Sequence, residues 1–243
     1  MSIDYIAAIR SNTDALADAA KSAGIDAQVP SCPEWSVSDL LGHMGTVHRW
    51  AAMNLDRDPG AEFMRSRDAG IDVPDPAARI EWVREGGAAL ADALAARSPD
   101  DPAWTWAPPH TVRFWHRRQA HETAMHRVDA ELAAGAPGPI DAELAADGID
   151  ELLGIVDTRP WLEPIRGEGE SLHFHCTDVD GEWTVRLEPD AMLVAREHAK
   201  GDVALRGPAS ALLCWMQGRG PIDALEAHGD RGLLDRWREV ATF

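Results

Sequence analysis

Arg117-Arg118-Gln119-Ala120-His121-Glu122-Thr123-Ala124-Met125-His126-Arg127-Val128-Asp129-Ala130-Glu131 is the stretch on which the fold turns. It holds no Gly or Pro and many strong helix formers, so it reads as the middle of a long helix. Glu122 and His126 stand four residues apart. At about 100° per residue they fall within about 40° of each other on one helix face. A carboxylate and an imidazole stacked this way suit one divalent metal. The zinc-protease pattern His-Glu-x-x-His is a near neighbour of this one, but here the two histidines are five apart. His121 and His126 therefore differ by about 140° around the helix, and His121 faces elsewhere. Two ligands need a third from another segment, and His43, in Asp39-Leu40-Leu41-Gly42-His43-Met44, is the candidate.

Working outward, this helix is expected over 112–134, closed by Gly135-Ala136-Pro137-Gly138-Pro139. A first helix is expected over 3–23, with Gly24 as its stop, and the two prolines at Pro30 and Pro33 make the next segment a loop. Ser36-Val37-Ser38-Asp39 has the form of a capping box with Asp for Glu, opening a second helix to about residue 55. Residues 56–75, rich in Asp, Arg, Gly and Pro, read as a long loop or lid, and a third helix is expected over 76–97. Four helices with connections of mixed length predict a four-helix bundle, whose metal sites form between facing helices. A fifth helix over 141–156 leads out of it.

His43 then sits mid-helix. Spacing alone also allows an ordinary part-buried histidine bonded to a carbonyl. Asp39, one turn earlier, is either an orienting partner for its imidazole or a first-turn acid favoured by the helix dipole. His48 reads as ordinary packing. Trp104, Trp106 and Trp115 cluster around Pro108-Pro109 as core or loop anchors, with an apolar pocket wall as the sharper alternative.

The pattern changes after Arg159-Pro160. Residues 171–178 and 182–189 alternate apolar and polar around the Asp180-Gly181 turn signal, and 192–196 and 202–207 look like two further strands. Pro208 opens a helix, and the end of the chain is helical again. This predicts a small α+β domain with an antiparallel sheet and helices on one face. The expected domains are 1–156 and 165–243, with the boundary near 157–168. His173 and His175 share a strand face and would suit a metal, but no third ligand suggests itself, so they read as a surface pair. Cys214, among Leu212, Leu213 and Trp215, reads as a buried small hydrophobe.

The 243-residue chain is long enough for one large domain or two modest ones. A net charge of −18 argues against nucleic acid and anionic membrane partners, both of which need a basic face. Three widely spaced cysteines without a Cys-x-x-Cys point to a reducing compartment. With no leader-like N-terminus and no long apolar run, the expectation is a cytoplasmic protein, as a monomer, acting on a small molecule.

Cys32-Pro33-Glu34-Trp35-Ser36-Val37-Ser38-Asp39-Leu40-Leu41-Gly42-His43-Met44, followed by the His121 to Glu131 segment, resembles the mycothiol-dependent maleylpyruvate isomerase family. Residues 202–219, with Gly207-Pro208-Ala209-Ser210 among them, resemble that family's C-terminal domain. The resemblance implies a DinB-like metal-binding bundle followed by a sterol-carrier-like α+β domain. It implies zinc, or another divalent ion such as nickel, on His43, Glu122 and His126, with mycothiol as the thiol cosubstrate. It also implies a C-terminal arginine that aids the reaction, with Arg219 the first match and Arg206 the second. Three ligands leave coordination positions open, where a thiol would become a thiolate. The chemistry implied is cis–trans isomerisation of a maleylpyruvate-like substrate or S-transfer to an electrophile. A non-catalytic metal-binding or stress-response protein of the DinB-like superfamily is the alternative.

Overall fold

The computed structural model describes residues 3–155, 158 and 165–241. Val156, which the fifth helix was expected to reach, and the Arg159-Pro160 step lie outside them. The described residues form two compact units, 1–138 and 139–243.

The first unit is built from four helices: α1 (Tyr5–Ala23), α2 (Val37–Asn54), α3 (Arg79–Ala95) and α4 (Val112–Ala133). Each boundary has a local cause. Asp4 caps α1 by accepting from the Ala7 N–H, and Gly24 ends it at φ +86°. The capping box at α2 is present in full: Ser36 takes the Asp39 N–H and Asp39 takes the Ser36 N–H. Leu16 and Ala20 of α1, Leu40, Leu41 and Met44 of α2, Val83 of α3 and Ala130 of α4 pack into one fully buried cluster. Glycines bring these helices close. A Cβ on Gly45 would meet the Trp82 ring at 2.2 Å, and one on Gly87 would meet Thr13 Oγ1 at 2.4 Å. Trp50, Trp104, Trp106 and Trp115 stack and cross at 5.2–6.5 Å between centroids, with Phe114 edge-on to Trp106 and Trp115. The tryptophans thus pack as core and anchors; the Trp115 indole N–H donates to the Trp104 carbonyl, and the Trp104 N–H to that of Ala61.

The second unit holds α5 (Ala142–Ile155), β1 (Ser171–Cys176), β2 (Glu182–Leu187), β3 (Met192–Ala195), β4 (Val203–Gly207), α6 (Ala209–Met216), β5 (Glu226–Gly229) and α7 (Arg231–Ala241). The units divide between Gly138 and Pro139, ahead of the 157–168 boundary expected from composition, because α5 packs on α6 and its apolar stripe is buried in the second unit. The sheet order is β3-β2-β1-β4-β5. It is mixed rather than antiparallel, since β1 and β4 run parallel. The connection at 196–202 returns the chain to the start of β1, where Asp202 N–H donates to the Ser171 carbonyl and Asp202 takes the Ser171 N–H. From there β4 can only run alongside β1 in its direction. Gly201 makes the crossing, where a Cβ would strike Val203 O at 2.8 Å and His173 N at 3.1 Å. The fifth strand, β5, went unpredicted: it is four residues long and almost wholly exposed. One sheet face buries Leu172, Phe174, Trp183, Val185, Leu187 and Leu205; Phe174 meets Trp237 of α7 at 5.3 Å. Cys176 is buried in this layer, whereas Cys214 is only part-buried, and none of the three cysteines forms a disulfide.

Candidate metal centre

His43 of α2 comes together with Glu122 and His126 of α4, the pair whose four-residue spacing places them on one helix face. The Nε2 atoms of His43 and His126 lie 3.6 and 3.4 Å from the same Glu122 oxygen, Oε1. One ligand atom from each residue lies within 4.8 Å of the others. The two rings meet edge-on at 4.9 Å between centroids. A tetrahedral ion with ligands at about 2.1 Å holds its donors about 3.4 Å apart, so two imidazoles and a carboxylate with this separation fit a divalent transition ion.

The surroundings aim each ligand. Asp129, fully buried one turn beyond His126, takes the His126 Nδ1–H at 2.8 Å, which turns Nε2 towards Glu122. Ser31 Oγ donates to the other Asp129 oxygen at 2.5 Å. Arg118, one turn before Glu122 and itself buried, donates to Oε2 at 2.7 Å and leaves Oε1 for the histidines. Trp35 lies along the rings of His126 and His43 at 6.3 and 5.0 Å. It is brought there by a tight turn in which Val29 N–H donates to the Trp35 carbonyl and the Gln28 amide to the carbonyls of Pro33 and Trp35.

The electrostatics favour a cation. Burial pushes the Glu122 carboxyl up, but Arg118, His126 and His43 outweigh it and hold it well below the usual carboxylate range. Burial likewise opposes a charge on His126, yet its bonds to Asp129 and Glu122 raise it to about 9. The buried carboxylate of Asp129 and the part-buried one of Glu122 therefore draw positive charge to the point where Nε2 sits. Burial lowers His43, leaving it neutral with a lone pair for a metal.

The other residues singled out in the sequence fall elsewhere. His121 turns away and meets the Tyr5 ring edge at 6.2 Å. Asp39 serves the capping box and does not orient His43. His48 is fully buried and bridges α2 to α4: Thr123 Oγ1 donates to the Gln119 carbonyl and so accepts from His48 Nε2 at 3.0 Å. Arg219 is 9 % exposed and donates to the Gln217 carbonyl. Arg206 lies exposed on β4 and pairs with Glu226 at 3.2 Å. Asp129 and Arg118 were not assigned roles from sequence, although their spacings to His126 and Glu122, three and four residues, were there to be used.

Comparison with known proteins agrees with this architecture. Residues 6–131 match the family model described as mycothiol maleylpyruvate isomerase N-terminal domain, and residues 143–236 match the one described as MDMPI C-terminal domain. Among solved structures, a crystal structure of a histidine-to-alanine mutant of the mycothiol-dependent maleylpyruvate isomerase is similar at TM-score 0.61 and 15% identity, over 92% of this chain and 91% of that one. At that identity the likeness is one of fold. No curated protein sequence matches the chain.

Proposed function

The chain belongs to the mycothiol maleylpyruvate isomerase family, and on that premise we propose a metal-dependent enzyme that activates mycothiol for isomerisation of a maleylpyruvate-like substrate or for S-transfer. The observation that carries this reading is the meeting of His43, Glu122 and His126 around one point.

These three residues would hold the ion. Bound there with positions left open, it would supply a site where an incoming thiol loses its proton at neutral pH. The rest is the work of the chain. Asp129 keeps the His126 proton on Nδ1 and so keeps Nε2 facing inward. Arg118 fixes the carboxylate of Glu122 in one rotamer through Oε2. Trp35 covers the imidazole rings from one side, which restricts water on that side. Arg219 remains the first match for the family's C-terminal arginine, with the role of holding a substrate carboxylate; Arg206, already paired with Glu226, is the second.

Isomerisation and transfer share this site and differ in product. Incubation of the zinc-loaded chain with mycothiol and maleylpyruvate should give the trans isomer with free thiol recovered. A stable thioether would mark a transferase. Metal bound without turnover on any electrophile would contradict the enzyme reading and favour a binding protein. Arg219→Ala should raise KM for a carboxylate substrate while leaving metal content unchanged.

A further inference from the structure

A second group of metal-binding side chains lies on the sheet face opposite α6 and α7. The β1–β2 register sets His175 across from Glu182 and His173 across from Thr184, so strand alternation places both histidines and Glu182 on one face. The connection at 196–202 brings a third histidine, His198, onto that face. Its Nδ1 lies 2.9 Å from Glu182 Oε1. The same oxygen contacts His175 Nδ1 and lies 3.9 Å from His173 Nε2. One ligand atom from each of the four residues lies within 4.8 Å of all the others. Both the buried His173 and the partners supplied by β2 and the connection depart from the surface pair expected from the sequence.

Ion pairing with Glu182 accounts for His175 and His198 but not for His173. That residue is only 7 % exposed, and its buried Nε2 has no hydrogen-bond partner among the described residues. A buried nitrogen left this way is destabilising unless something satisfies it. It faces the Glu182 oxygen that the other two histidines share.

We propose that His173, His175, Glu182 and His198 form a second cation site, taking one divalent transition ion of the zinc class. Three imidazoles and a carboxylate complete a four-ligand shell with no position left over, which is the pattern of a structural ion. Such an ion would tie the 196–202 connection to the β1–β2 hairpin and satisfy His173 Nε2. The site lies wholly within the second unit and stands whether or not the first binds metal.

The test uses the full chain carrying His43→Ala and His126→Ala, stripped with chelator and titrated with Zn2+. It should bind one equivalent, and its thermal midpoint should rise with zinc. Adding His198→Ala, whose side chain is 76 % exposed, or Glu182→Gln should weaken binding at least about tenfold and abolish the rise. On the otherwise unaltered chain His198→Ala should remove one equivalent whatever the starting count, which frees the test from the folding of the double variant. Zinc uptake that is absent from the second unit, or indifferent to both His198→Ala and Glu182→Gln, overturns the proposal.

Discussion

At Asp129 a fully buried carboxylate accepts from the His126 ring on one oxygen and from Ser31 on the other. It meets no ligand position itself, so its effect must pass through the imidazole. Asp129→Asn should lower zinc affinity about 10–100-fold while the chain stays folded, measured by competition with a chromogenic chelator. His48 gives a second prediction at this scale. Burial holds its folded value at about 3, against 6.5 for the free side chain. The unfolded chain therefore takes up a proton near pH 6.5 that the folded chain refuses until about 3. Stability present above pH 6.5 is lost as pH falls through this window, at up to about 1.4 kcal/mol per pH unit. His48→Gln, which can still donate to Thr123, should flatten that slope in urea titrations of the metal-stripped chain. Ligand spacing on α4 was legible because a helix repeats geometrically. The role of Asp129 was not, because an acid three residues from a histidine is common and only burial gives this one its task.

At the scale of elements, the position of His43 depends on how tightly α2 lies against α3. Gly45, two residues on, leaves no room for a Cβ under Trp82, whose ring also carries the Arg49 guanidinium at 4.1 Å. Alanine favours a helix interior over glycine by about 1 kcal/mol. Here the clash is with a large ring, so Gly45→Ala should destabilise by about 1–3 kcal/mol instead, seen as a lower urea midpoint, and should weaken metal binding as α2 shifts. The helices were readable from caps, stripes and breakers, and α1 to α4 begin and end within three residues of the expected positions. The sheet was readable only strand by strand. Alternation marks β1 to β4 but says nothing of direction, and the parallel pairing of β1 with β4 follows from where the 196–202 connection lands. His198 was missed as a ligand for the same reason: it sits in that connection, where no periodicity points to a partner.

Over the whole molecule, the two units divide the chemistry unevenly. The first holds a three-ligand set suited to an open, reactive ion, and the second a four-residue set suited to a closed one. The described helices include none long and apolar enough to cross a membrane, and the charge of −18 gives both proposed cation sites an attractive field. The boundary at Gly138–Pro139 was hidden in the sequence because α5 is as helical as the bundle it follows; only its packing on α6 assigns it to the second unit. The proposed function requires that His43, Glu122 and His126 hold one ion with room for a thiol. The most direct measurement is a crystal of the zinc-loaded chain with diffraction recorded on both sides of the zinc absorption edge. An anomalous peak about 2.0–2.2 Å from His43 Nε2, Glu122 Oε1 and His126 Nε2, lost in Glu122→Gln, is the predicted result. No peak at these three side chains in the zinc-loaded chain, or a peak there retained in full with unchanged turnover after Glu122→Gln, would contradict it.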